Sequence, residues 1–175
     1  MSKKKKILAI SGSTKSASSN SRIIKLMVEE CAAWADVVVY EGMLALPYFN
    51  PDLDKEETVP VTVSEFRNQI QAADAVLICT PEYVFSLPGV LKNALEWTVS
   101  TTVFSDKPAA LITASASGQK AAESLELIMR TIGAKFSQDT MLLIQGVKGK
   151  VDGDEAVLRE QLTKLGEALA ALIES

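Results

Sequence analysis

The sequence predicts a three-layer α/β/α sandwich around a five-stranded parallel sheet. Three observations point there. Five short apolar runs recur along the chain, and each is followed by a segment with apolar residues at helical spacing. The runs are continuously apolar rather than alternating, as strands covered on both faces require. Alternation of strand and helix needs crossover connections, which favour parallel pairing. For five strands wound on both sides, the expected order is 2-1-3-4-5, with a ligand crevice where strands one and three leave the sheet in opposite directions.

The first strand is Lys5–Ile10. A helix from about Asn20 to Ala33 follows, with Ile23, Ile24, Met27, Val28 and Cys31 on one face. Val37–Tyr40 reads as a buried strand, and a loop with Pro47 and Pro51 leads to a helix over Thr62–Ala73, with Val63, Phe66 and Ile70 inward. Ala75–Cys79 is the third strand. Pro88 sits where the first helical residue tolerates a missing N–H, and Val90, Leu91, Ala94 and Leu95 give that helix its stripe to about Val99. Ala109–Thr113, a helix over Ala121–Ile132, and Met141–Ile144 continue the alternation. A last helix starts at about Asp154, with Leu158, Leu162, Leu165, Leu169 and Leu172 inward and Asp152 with Glu155 as a capping box.

At 175 residues the chain reads as one domain, 1–175, with 47% apolar and 23% charged residues. A net charge of −4 argues against nucleic acid, which needs a basic face. Lys3–Lys6 reads as a solvated start. Four apolar residues behind it are too few for a secretory signal, and no segment reaches the roughly 18 apolar residues of a membrane helix. A cytoplasmic protein without membrane attachment is expected, with Cys31 and Cys79 as free buried thiols in preference to a disulfide. The chain has no histidine, which excludes Ser-His-Asp and Cys-His machinery and imidazole zinc sites; two cysteines make no metal cage. An enzyme of this composition takes its chemistry from a cofactor.

Two loops stand out at the expected crevice. Ser11-Gly-Ser-Thr-Lys-Ser-Ala-Ser-Ser-Asn20 joins the first strand to the first helix. It is neither G-x-G-x-x-G nor a Walker loop. Either it is a polar loop with Ser19 or Asn20 as N-cap, or its hydroxyls, Lys15 and the helix start form a phosphate site. A cap needs one such side chain, and ten nearly pure Ser/Thr/Gly/Lys positions favour the phosphate. The second loop opens Pro81-Glu-Tyr-Val-Phe-Ser-Leu-Pro-Gly-Val-Leu-Lys-Asn-Ala-Leu-Glu-Trp97: it either walls a flat ring with Tyr83 and Phe85 or plugs the sheet edge. Ser115-Ala-Ser-Gly118 is a third small-residue turn on the same edge.

These segments resemble the NADPH-dependent FMN reductases, which share the flavodoxin-like fold with azoreductases and quinone or chromate reductases. The family's G-S-x-R-x-x-S-x-N loop appears as Gly12, Ser13, Lys15, Ser18 and Asn20. Its P-E-Y-N-x-S-x-P-G-x-L-K-N-A-[IL]-[DE]-W signature is met at every fixed position but Val84, and Leu46–Leu53 resembles its L-P-x-[YF]-N-x-D-L segment. The resemblance implies that Ser13, Lys15, Ser18, Ser19 and Asn20 hold the FMN phosphate, with Ser11 at the entry of the same cofactor-binding turn. Pro81, Glu82, Tyr83 and Val84 lie along the isoalloxazine, and Ser115 and Ser117 belong to the third flavin-side loop. No side chain is assigned as catalytic acid or base, and Tyr83 orients water or acceptor.

Lys15 stands for the family's arginine, Val84 for its asparagine, and Gln119-Lys120-Ala121-Ala122 for its paired glycines. The implied activity is hydride transfer from NADPH or NADH to flavin N5, then to a quinone, azo compound, free flavin or similar small-molecule electron acceptor by a ping-pong route. A flavodoxin-type electron carrier and a flavin-free interaction scaffold are the alternatives. The resemblance also implies a homodimer or homotetramer, for which Phe85, Trp97, Val103 and Phe104 either supply an apolar patch or fill their own subunit's core.

Overall fold

The computed structural model describes residues 3–153 and 155–175. Five strands, β1 (Lys5–Ser11), β2 (Ala35–Val39), β3 (Ala75–Thr80), β4 (Ala109–Ser115) and β5 (Met141–Gln145), form one sheet in the order β2-β1-β3-β4-β5. Every pairing is parallel, with Ile7 opposite Ala75 and Ser11 opposite Cys79 in the central pair. This is the flavodoxin-like doubly wound order that the sequence predicts.

Side chains alternate across each strand and divide the core in two. On one face Leu8, Ile10, Val76, Ile78 and Leu111 meet Phe66 and Ile70 of α2 (Val61–Ala72), Leu91 and Leu95 of α3 (Gly89–Glu96), and Leu125 and Met129 of α4 (Gln119–Thr131). On the other, Ile7, Ala9, Leu77, Cys79 and Ile112 meet Ile23 and Met27 of α1 (Ser19–Cys31) and Leu158, Leu162, Leu165 and Leu169 of α6 (Glu155–Glu174). All six β3 residues are buried, as the middle of a covered sheet demands.

Several expectations need correction. β2 is not buried on both faces: it pairs only with β1, and Val38 and Val39 stand 59% and 40% exposed at the sheet's edge. Tyr40 lies just beyond it, buried, its ring 4.7 Å from that of Phe66. Val28 faces solvent, because α1 turns the Ile23, Ile24 and Met27 side to the sheet. α3 starts one residue after Pro88 and ends at Glu96, short of Val99; the Arg67 guanidinium takes the Trp97 carbonyl there, with Nε donating at 2.7 Å.

A helix absent from the sequence reading, α5 (Val147–Gly153), precedes α6. The expected start of the last helix, Asp154, lies outside the described residues. Asp152 and Glu155 do not form a capping box. Asp152 sits within α5, and both carboxylates take Arg22 of α1, at 3.2 and 2.8 Å. Leu172 is only partly buried.

Both cysteines are buried and free. Burial pushes the Cys31 thiol up to about 11 and the Cys79 thiol further still, so neither is a nucleophile at neutral pH. Among the described residues no helix is long and apolar enough to cross a membrane, and no group of three metal-ligating side chains gathers.

Candidate active site

The carboxyl ends of β1, β3, β4 and β5 open into a crevice of about 1120 Å³. A smaller concavity of about 590 Å³ beside β2, lined by Val38, Tyr40, Thr62 and Glu65 among others, contains none of the unusual loops.

The crevice floor begins where β1 ends. Gly12 N–H donates to the Cys79 carbonyl at 2.8 Å and extends the β1–β3 ladder by one residue. No side chain fits at this position, since a Cβ would lie 2.7 Å from Thr80 Cβ and 3.1 Å from Leu91 Cδ2. The loop then folds on itself: Ser13 N–H donates to Ser11 Oγ at 3.2 Å, and that hydroxyl donates to the Ser13 carbonyl at 3.1 Å. Ser18, rather than Ser19 or Asn20, is the N-cap of α1, accepting from Ser21 N–H at 3.0 Å. The N–H groups of Ser19 and Asn20 make no hydrogen bond among the described residues, and the first turn carries no acidic side chain. Unpaired donors at a helix start are what an anion needs.

Asn20 has a different role from its neighbours. It is buried, its Nδ2 donates to the Ala114 carbonyl at 3.3 Å, and its Oδ1 accepts from the Cys79 thiol at 3.2 Å. Its amide fastens the start of α1 to the ends of β3 and β4.

The second loop is a hairpin-like turn. Tyr83 N–H donates to the Ser86 carbonyl at 3.0 Å and Ser86 N–H to the Tyr83 carbonyl at 3.1 Å. Between them Val84 and Phe85 have φ of 52° and 55°, the signs of a type I′ turn. Both are exposed, Val84 at 97%. A β-branched residue in the left-handed region is strained, while asparagine tolerates it. Val84→Asn is expected to raise stability by about 1 kcal/mol, a rise of about 2–4 °C in Tm for a chain of this size. Thermal unfolding of the two proteins checks this, and an unchanged or lower Tm would mean that the turn is not strained.

Glu82 points away from the crevice. Its Oε2 accepts from Ala121 N–H at 3.0 Å in the first turn of α4, tying the second loop to the third. Gly118, in the left-handed region at φ 87°, turns the third loop into that helix.

The crevice thus gathers Ser13, Lys15, Ser18, Ser19, Asn20, Pro81, Tyr83 and Ser115, and leaves Ser11, Glu82, Val84 and Ser117 off its lining. It also brings in Arg22 and Lys25 of α1 and Lys148 of α5, which the sequence reading passed over. Gly146, in the left-handed region at the carboxyl end of β5, is the signal that could have pointed to Lys148 beside it, while Arg22 and Lys25 carry none beyond their place on α1. Of the two alternatives for the aromatic set, Trp97 and Phe104 fill their own core and Val103 packs on it, and of the four Phe85 alone is exposed. The Leu46–Leu53 segment docks on α3 through Asn93, whose Oδ1 accepts from Phe49 N–H at 2.8 Å, and through Trp97, whose Nε1 donates to the Pro47 carbonyl at 2.8 Å.

The chain is similar to known proteins in sequence and in fold. A quinone reductase of Escherichia coli K12 is 35% identical over 97 residues, which are 55% of this chain and 52% of that protein. An NAD(P)H-dependent FMN reductase of Pseudomonas aeruginosa is 40% identical over 113 residues, 63% of this chain and 60% of its own. The matched region therefore spans little more than half the length of these relatives. The solved structure of a flavoenzyme, an NAD(P)H:(acceptor) oxidoreductase from Paracoccus denitrificans, superimposes with a TM-score of 0.73 at 20% identity, covering 95% of this chain and 98% of that one, and shows the common fold. A sequence model of the NADPH-dependent FMN reductases matches residues 5–148, from the first strand into the start of α5, and the chain belongs to that family.

Proposed function

We propose that the protein is an FMN-dependent NAD(P)H oxidoreductase that reduces a quinone, azo compound, free flavin or similar small-molecule acceptor. The observation that carries this reading is the crevice itself. Unpaired N–H groups at the start of α1, the hydroxyls of Ser13, Ser18 and Ser19, and Lys15 share one cavity with Pro81, Tyr83 and Ser115. The donor set fits a phosphate monoester, and the neighbouring wall of backbone, proline and tyrosine fits a flat ring. Bound there, FMN would supply two-electron chemistry at N5 between NAD(P)H and the acceptor.

The chain's residues bind and orient. Ser13, Lys15, Ser18 and Ser19 hold the phosphate with the Asn20 N–H, while the Asn20 amide keeps the helix start in register with β3 and β4. Ser11 shapes the Ser13 turn, and Glu82 holds the ring-side loop against the Ser115–Ser117 loop. Tyr83, half exposed beside the crevice, orients water or acceptor, and Val84 forms the turn tip next to it. Backbone N–H groups fixed in this way favour developing negative charge without reorganisation. We further propose a cytoplasmic homodimer or homotetramer.

Mass identification of the released chromophore and titration of apoprotein test the reading. The Ser18→Ala, Asn20→Ala double variant is expected to lose FMN affinity by about tenfold or more, because it removes the Ser18 hydroxyl from the phosphate and frees the helix start that the Asn20 amide fastens to β3 and β4. Unchanged binding would place the phosphate elsewhere. NAD(P)H oxidation that continues over many turnovers with added quinone or azo dye marks an enzyme, and a single stoichiometric reduction marks a carrier.

A further inference from the structure

The crevice does not end at the phosphate loop. It continues between α1 and the β5–α5 turn, along Arg22, Lys25, Lys148, Gly149 and Asp152. At about 1120 Å³ it is an open crevice just above the ~300–1,000 Å³ of ordinary ligand pockets. Its lining carries four cations, Lys15, Arg22, Lys25 and Lys148, against one carboxylate, Asp152, although the chain as a whole is acidic. Arg22 is held by Asp152 and Glu155, and so fixes the distance between α1 and the α5–α6 junction. Lys25 and Lys148 are exposed and make no ion pair among the described residues.

Of the two glycines in α5, Gly149 is the one on the groove lining, and Gly153 is not. Gly149 lies inside α5, where glycine is a poor helix former. A Cβ there would meet nothing within 4 Å, and its φ is not left-handed. Neither packing nor backbone conformation asks for a glycine. A bare backbone on the lining of a cationic groove suits the close approach of a ligand.

We propose that this groove is a second phosphate subsite, contiguous with the cradle for the flavin phosphate, with Lys25 and Lys148 as its charged walls and Gly149 as its floor. The inference rests on the flavin reading of the cradle. The chemistry it recognises is a second phosphate group on a nucleotide, and two sources carry one: the adenylate phosphate of a dinucleotide flavin, or the 2′-phosphate of NADPH. A first phosphate bound by Lys15 and the α1 N–H groups leaves both groove lysines free for another.

The test compares wild type with the Lys25→Glu, Lys148→Glu double variant. Apoprotein is titrated with FMN and with FAD, and KM is measured for NADPH and NADH with a naphthoquinone acceptor. FMN affinity is expected to stay within about twofold, while one ratio shifts by about tenfold, the effect of losing charge-assisted contacts to one phosphate. A shift in FAD over FMN affinity identifies the adenylate source, and a shift in KM for NADPH over NADH identifies the 2′-phosphate. A control with the same change in net charge, Lys3→Glu with Lys4→Glu at the amino end of β1, leaves both ratios alone. Both ratios unmoved, an equal fall in FMN affinity, or the same shifts in the control would overturn the inference. Wild-type apoprotein that binds no flavin would overturn the cradle reading and this inference with it, whereas tight FMN binding with unmoved ratios removes the second subsite alone.

Discussion

Arg67→Ala is expected to destabilise the protein by about 3–5 kcal/mol, the range for removing one partner of a buried ion pair. The guanidinium lies between α2 and the loop after α3, with its side chain 14% exposed and that of Asp54 5% exposed. It donates to the Asp54 carboxylate and the Trp97 carbonyl, and Ser100 Oγ donates to the same Asp54 oxygen at 2.8 Å. Without it a carboxylate and a carbonyl remain away from water with too few donors, and desolvation is no longer offset. Lysine is a poor substitute, because a single ammonium does not span both acceptors. The Asp54→Ala, Arg67→Ala double variant should recover part of the loss, since no charge is then left unpaired. Urea unfolding of wild type, Arg67→Ala, Asp54→Ala and the double variant measures this. An additive double variant would show that the two groups do not act as a pair. FMN affinity at a temperature where all are folded should be unchanged, because this clamp holds the Leu46–Leu53 segment and not the crevice.

What the sequence made legible follows the strength of each local signal. β1, β3 and β4 are continuous apolar runs between polar turns, and their boundaries in the structure fall within about two residues of the expectation. The strand order followed from the count of five alternating strands and helices, for which a sheet wound on both sides has few orders. The strand β2 forms as expected, but its burial does not follow, because Val37-Val-Val has the composition of a covered strand and only the tertiary arrangement leaves it exposed at the edge. α5 was missed because Gly146, Gly149 and Gly153 read as loop, and its helix depends on Val147 and Val151 packing beneath it.

At the site, residue types were readable but their directions were not. Nothing in Ser18-Ser-Asn20 says that the third polar side chain turns inward to Cys79 and Ala114 while the first caps the helix. Glu82 sits in a ring-side motif, and its partner is an N–H 39 residues away. Sequence reports which groups a segment carries, and the pairing of buried donors with acceptors is settled only when strands meet.

Gly12→Ala should combine a folding defect with loss of cofactor, and for one reason. The residue lies where the last β1–β3 hydrogen bond holds the start of the cradle against the end of β3. A methyl group there meets Thr80 and Leu91, both fully buried, so neither can move into solvent. Overpacking of this kind costs about 1–3 kcal/mol. The least resistant response is for the cradle to lift from β3, breaking the Gly12–Cys79 bond and displacing the N–H groups of Ser19 and Asn20. Misplaced donors lose affinity steeply, and FMN binding is expected to fall by about tenfold or more. Thr80→Gly combined with Gly12→Ala removes the two nearest obstructing atoms, leaves only the 3.1 Å approach of Leu91 Cδ2, and should restore much of the affinity, even though glycine within β3 weakens the strand. Calorimetric titration of the three proteins at a temperature below their unfolding transitions separates the two effects. If Gly12→Ala alone binds FMN as wild type does, the cradle is slack enough to absorb a methyl group, and the close approach of Gly12 to Thr80 does not position the site.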